Sequence, residues 1–222
     1  MQENSNKIVL ILEILIFTSL VILDAMSYLP ISQTLFIVPF IWISLKFKKE
    51  TFSSIGLSVK NINLGRSIVI GIVLGIALEL FATFITTPLL SSYFGFEPNL
   101  SDFQDIKGNL SMLLLFISVS WVLAAFGEEI CFRGFLMNRL ATVMGNNNTA
   151  WILSLLLSST LFGWGHTEQG ITGWVQEGLS GMFLGIIFLT SGKNLTIPIV
   201  SHGVSNSLAF TLIYLGAYPG IV

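Results

Sequence analysis

Residues 110–136 read LSMLLLFISVSWVLAAFGEEICFRGFL. The run is long enough to cross a bilayer core as a helix, which takes about 20 apolar residues. Near its end stand Glu128, Glu129 and Arg133. Ionisable groups at membrane depth cost free energy that packing does not recover, so they are functional-site candidates. The rest of the chain has the same character: 53% of residues are hydrophobic and 10% charged, and the mean hydropathy is +0.84. Soluble domains carry about a quarter charged residues, so composition predicts an integral membrane protein. A net charge of -2 and a pI near 5.6 offer no basic surface to a phosphate backbone, so no nucleic-acid partner is expected. The single cysteine, Cys131, cannot form an internal disulfide.

Apolar runs separated by turn signals or charge clusters predict an all-α polytopic transmembrane bundle of about seven spans, six to eight. The spans fall at about 8–28, 31–46, 66–90, 110–139, 149–166, 174–191 and 195–216. One membrane domain over 1–222 is expected, with the polar motifs in a core of about 110–216. The first run contains Glu13 and lacks a clean small-x-small cleavage site, so it is read as a retained helix. Lys46, Lys48, Lys49, Lys60 and Arg66 all lie between spans two and three, which the positive-inside rule assigns to the cytoplasm. Alternation then puts Lys7, Arg139 and Lys193 on the same side and Lys107 on the other, with the N-terminus inside. Gly71-xxx-Gly75 and Gly181-xxx-Gly185 are spacings that let helices pack closely, read here as packing within one bundle.

Glu128 and Glu129 are adjacent, so on a helix their side chains diverge by about 100° and serve different purposes. Arg133 follows Glu129 by four residues, the favourable order for a helical ion pair. Glu128 is left to face a polar cavity as a candidate general base. An alternative is that all three form one buried ionic knot. His202 and Asn206 lie one turn apart on one helix face, as candidate oxyanion donors or as interhelical hydrogen-bonding glue. His166, the only other histidine, reads in isolation as an interfacial residue. Glu13, Asp24, Glu79 and Glu177 have no partner identifiable from sequence and are expected at interfaces or inside the bundle. Cys131 is read as a small buried hydrophobe. Absent are a His-Glu-x-x-His zinc helix, a second intramembrane aspartate and a Gly-x-Ser-x-Gly elbow.

Taken together, Glu128-Glu129-Ile130-Cys131-Phe132-Arg133, Phe162-Gly163-Trp164-Gly165-His166 and His202-Gly203-Val204-Ser205-Asn206 resemble the three motifs of the CAAX protease and bacteriocin-processing (Abi) family, which includes the type II CAAX prenyl endopeptidases. The resemblance spans about residues 120–210. It implies an intramembrane endopeptidase in which Glu128 is the base, His166 orients the water, and His202 and Asn206 form the oxyanion hole. Glu129 and Arg133 would be supporting groups. No cofactor is the preferred expectation; the family's described metal dependence makes zinc the alternative, with Glu128, His166 and His202 as ligands. Expected partners are a peptide or protein substrate, possibly lipidated, and the lipid bilayer. The setting implied is a bacterial plasma membrane, with roles in bacteriocin or pheromone maturation or self-immunity. The competing class is a non-catalytic immunity or scaffold protein; proton-coupled transport lacks the expected repeats.

Depth links the motifs. Glu128 lies eleven residues from Arg139, about 16 Å, and His202 about 10–12 Å from Lys193–Leu195. These depths predict one cavity open toward the cytoplasm. His166, about 25 Å from Thr149, fits less well. Its helix either starts lower and tilts, or ends early.

Overall fold

The chain is described by a computed structural model over residues 2–60 and 62–219, with side chains from Lys7 onward. Among these residues there is no strand, and seven apolar helices follow one another along the chain. They are α1 (Gln2–Ala25), α2 (Thr34–Phe47), α3 (Leu64–Phe94), α4 (Leu110–Val143), α5 (Asn148–Trp164), α6 (Gly170–Thr190) and α7 (Thr196–Tyr214). Asparagine side chains start three of them: Asn63, Asn109 and Asn147 each accept a backbone N–H from the first turn of α3, α4 and α5. Gly95, at φ +77°, ends α3 in the left-handed conformation that favours glycine.

The expected seven segments are all present, but five alone are long and apolar enough to span a membrane unaided. Helix α2 has 14 residues and α5 has 17, about 21 and 25 Å, less than a hydrocarbon core of about 30 Å. The second value settles the placement of His166. Helix α5 begins at Asn148 and stops early, at Trp164, and His166 sits in the turn before α6. Helix α6 itself starts at Gly170, four residues before the expected 174. Helices α3 and α4 each contain π-helical winding, over Ala82–Thr86 and Trp121–Leu136. Such winding is rare and tends to occur at functional sites.

A buried cluster including Phe17, Ile37, Ile41, Phe132, Phe135, Phe162 and Phe188 joins α1, α2, α4, α5 and α6. Phe132 packs edge-on against Phe17 and Phe162 at 5.3 and 5.1 Å between centroids. The outside is apolar as well: Leu12, Val69, Val73, Leu114, Ile152 and Leu156 are all exposed, as befits helices bathed in lipid. Both glycine pairs serve contacts inside the bundle, as expected. Gly71 and Gly75 lie against Val200, Ser201 and Val204 of α7, and Gly181 and Gly185 against Phe162 and Leu155 of α5.

The loops gather at two ends. At one, Leu195 N–H donates to Gly56, Asn194 to Ser58, and Ile55 is buried beneath Gly134. At the other, Asn99 binds the backbone of Glu168 and Gln169, Thr172 binds Phe96, and Gly108 binds Tyr214. Glu13 finds partners that its spacing did not reveal. It ion-pairs with Lys48 at 3.1 Å and Arg139 at 2.9 Å and accepts from Ser44 at 2.6 Å, while Arg139 also binds Glu50 at 2.7 Å. Arg139 is therefore a buried tie between α1, α2 and α4, and the bundle's ionic knot lies there. Removing one partner from a buried pair strands the other charge. Glu13→Ala is expected to cost about 3–5 kcal/mol, read as a lowered Tm in detergent; an unchanged Tm would show that the knot contributes nothing.

Candidate active site

Glu129, on the π-wound part of α4, has no exposed surface. Its Oε1 accepts from Arg133 Nη1 at 2.7 Å and from His202 Nδ1 at 2.9 Å. Arg133 donates through Nη2 to the Gly181 carbonyl at 2.9 Å and stacks on Phe162, 4.5 Å from the ring centre. A carboxylate paired with a guanidinium only accepts, so His202 carries its hydrogen on Nδ1 and turns Nε2 toward Glu128, whose Oε2 is 4.0 Å away. Glu128 makes no closer ion pair among the described residues. Its side chain keeps 14% exposure, all the more notable beside fully enclosed Glu129.

His166 is oriented by the same rule. Its Nδ1 donates to the Phe162 carbonyl at 2.8 Å, which in the neutral ring leaves Nε2 as an acceptor. The Phe162 ring contacts both imidazoles, at 4.9 Å from His166 and 6.2 Å from His202 between centroids. Asn206 donates one amide hydrogen to Ser120 Oγ at 2.9 Å and retains a second. Trp121 sets how closely α4 and α7 approach. Its indole lies on Gly203, where a Cβ would overlap the ring, and its Nε1 donates to Ser207 at 3.0 Å.

Glu128, His166, His202 and Asn206 all line one cavity of about 430 Å³, within the size range of small-molecule and peptide pockets. Glu79 and Glu177, expected away from any reaction centre, border it too. Glu79 accepts from Thr83 and Ser205, both at 2.7 Å. No spacing connects α3 to the motifs; intramembrane depth was the only cue to Glu79. Ser120, which sequence did not single out, also lines the cavity. Glu168 is a fourth carboxylate in the lining, and no Lys or Arg is part of it. Cys131 is buried and lies outside it.

The expected opening at the end rich in Lys and Arg is not what the structure has. The cavity wall continues through Ser32, Leu100, Phe103, Glu168, Gln169 and Tyr218, all at the opposite end. Depth measured along single helices located the site but not its entrance, because buried Ile55, Arg133 and Leu195 close the other route.

Zinc held by Glu128, His166 and His202 would need these three donors to converge on one point. Among the described residues, no three His, Cys, Asp or Glu side chains converge closely enough to hold an ion. The donor set in this arrangement does not fit a three-ligand zinc site.

Overpacking typically costs about 1–3 kcal/mol, and Gly203→Ala is expected to lower stability by that amount through Trp121. Gly65→Ala, with only Asn63 nearby at 3.8 Å, serves as control in the same thermal unfolding measurement. Equal Tm values would remove Trp121 as the element setting the α4–α7 distance.

No curated protein and no solved structure matches the chain. A family model does match, over residues 110–208, the stretch that holds the four cavity-lining candidates and the Glu129–Arg133 pair. That segment of this multi-pass membrane protein is similar to the family described as type II CAAX prenyl endopeptidase Rce1-like.

Proposed function

We propose that the protein is a glutamate-dependent intramembrane endopeptidase. The observation that carries this reading is the convergence of Glu128 with two histidines on one cavity, each imidazole oriented through Nδ1 by a fixed acceptor. Glu128 removes a proton from a water that also donates to His166 Nε2. The water oxygen bonds to the carbonyl carbon of the peptide. The resulting oxyanion accepts from the free amide hydrogen of Asn206 and from Nε2 of protonated His202. Glu128 then passes its proton to the nitrogen as the C–N bond breaks, giving a carboxyl and an amine. Glu129 and Arg133 hold His202 and touch no reacting atom.

General-base catalysis contributes roughly 10²–10⁴-fold, so Glu128→Gln is expected to lower kcat by at least about 100-fold while the protein remains folded. The substrate is found by comparing peptides from cells carrying the wild-type or Glu128→Gln protein. A precursor accumulating only with the variant supports the reading. Intact cleavage by Glu128→Gln sinks it, and a cellular phenotype fully rescued by that variant favours a non-catalytic immunity or scaffold role. The chemistry is proposed to need no metal. Cleavage by purified protein is expected to survive a strong chelator, and loss restored by zinc would overturn this part. A role in bacteriocin or pheromone maturation is supported by the motif resemblance.

A further inference from the structure

Two independent features of the fold bear on where the substrate comes from. The first is charge. Every Lys and Arg except Lys107 and the buried Arg133 belongs to the end formed by the N-terminus, the loop between α2 and α3, and the α4–α5 and α6–α7 turns. Although Lys48 and Arg139 are paired with acids there, Lys46, Lys49, Lys60, Arg66 and Lys193 make no ion pair with a carboxylate among the described residues. Lys46 and Lys193 instead lie over Trp42 and Trp151, at 4.3 and 3.7 Å, an arrangement suited to a membrane interface. An excess of basic residues in short loops marks the cytoplasmic side.

The second is the cavity. Its wall runs from Glu128 and His202 to Leu100, Phe103, Glu168 and Tyr218 at the far end, and includes no residue of the loop between α2 and α3 or of the two basic turns. Toward those turns, Glu129 and Arg133 form a fully buried floor.

We propose that the cavity is entered from the non-cytoplasmic face of the membrane, so that its substrates are exported or membrane-anchored polypeptides whose cleaved segment lies outside the cytoplasm. The substrate statement rests on the protease reading; the direction of access does not. It can be measured with the inactive Glu128→Gln chain as well as with the active one.

Cys131 is buried, so single cysteines can be introduced with Cys131 either retained or replaced by serine. Ser180→Cys and Ala209→Cys report from inside the cavity, Glu168→Cys from its outer end, and Ser53→Cys from the basic end. Cells are treated with a small, membrane-impermeant, cationic methanethiosulfonate, before or after permeabilisation. The expected result is modification at 168 and at 180 or 209 in intact cells, with 53 modified only after permeabilisation. Modification at 180 and 209 only after permeabilisation, or of 53 in intact cells, would overturn the proposal. Loss of cleavage in Glu128→Gln with this labelling pattern intact keeps both readings. An unchanged pattern with cleavage also unchanged defeats the protease reading alone.

Discussion

A carboxylate with no exposed surface must be matched by donors, and Glu129 is the one on which the rest of the site depends. Its Oε1 takes one hydrogen from Arg133 and one from His202, and Arg133 reaches on to the carbonyl of Gly181. Three helices, α4, α6 and α7, are thereby tied at one depth. The removal of either charge would leave the other uncompensated in low dielectric, which is far more costly than the pair. The same contact decides the orientation of an imidazole. With Nδ1 committed to Glu129, His202 can present only Nε2 to the cavity and to Glu128.

Around this tie the fold keeps an interior space open where a packed bundle would close it. Both π-wound stretches border the cavity, through Ala82 of α3, just after Leu78 and Glu79, and through Leu123, Ala124 and Glu128 of α4. The short α5 contributes by stopping early, so that the turn to α6 drops His166 beside the Phe162 ring. Close approach elsewhere is secured by glycine: Gly71 and Gly75 bring α3 onto α7, and Gly203 admits Trp121. The result is a cavity lined by four carboxylates and no Lys or Arg, walled on its apolar sides by residues such as Phe103, Phe116, Leu184 and Phe210.

The two ends of the bundle differ for separate reasons. At the basic end, Glu13 and Glu50 together neutralise Lys48 and Arg139, and the loop carrying Ile55 fills the space under α4. That end is closed by packing and by ion pairs. At the other end the Ser101–Ile106 turn, the α5–α6 turn and Tyr218 surround the cavity without sealing it. Burial raises the Tyr218 phenol above its ordinary range, so this ring stays neutral at the entrance.

Much of this was legible in the sequence because membrane solvent makes the code coarse. Apolar runs must be helices to satisfy their backbone, and the rarity of charge in such runs singled out Glu128, Glu129 and Arg133. The i, i+4 spacing correctly paired Glu129 with Arg133, and the two glycine pairs were correctly read as internal packing. Contacts between distant helices follow no local spacing. His202 on Glu129, Glu13 on Arg139 and Glu79 on Ser205 join residues 73, 126 and 126 positions apart in the order His202–Glu129, Glu79–Ser205 and Glu13–Arg139. The sequence by itself determined that the chain forms a bundle of apolar helices and that Glu129 pairs with Arg133, since these depend on hydropathy and helical period. The tertiary structure alone decided that His202 joins Arg133 on Glu129, and at which end the cavity opens. Those outcomes depend on which helix faces close against each other.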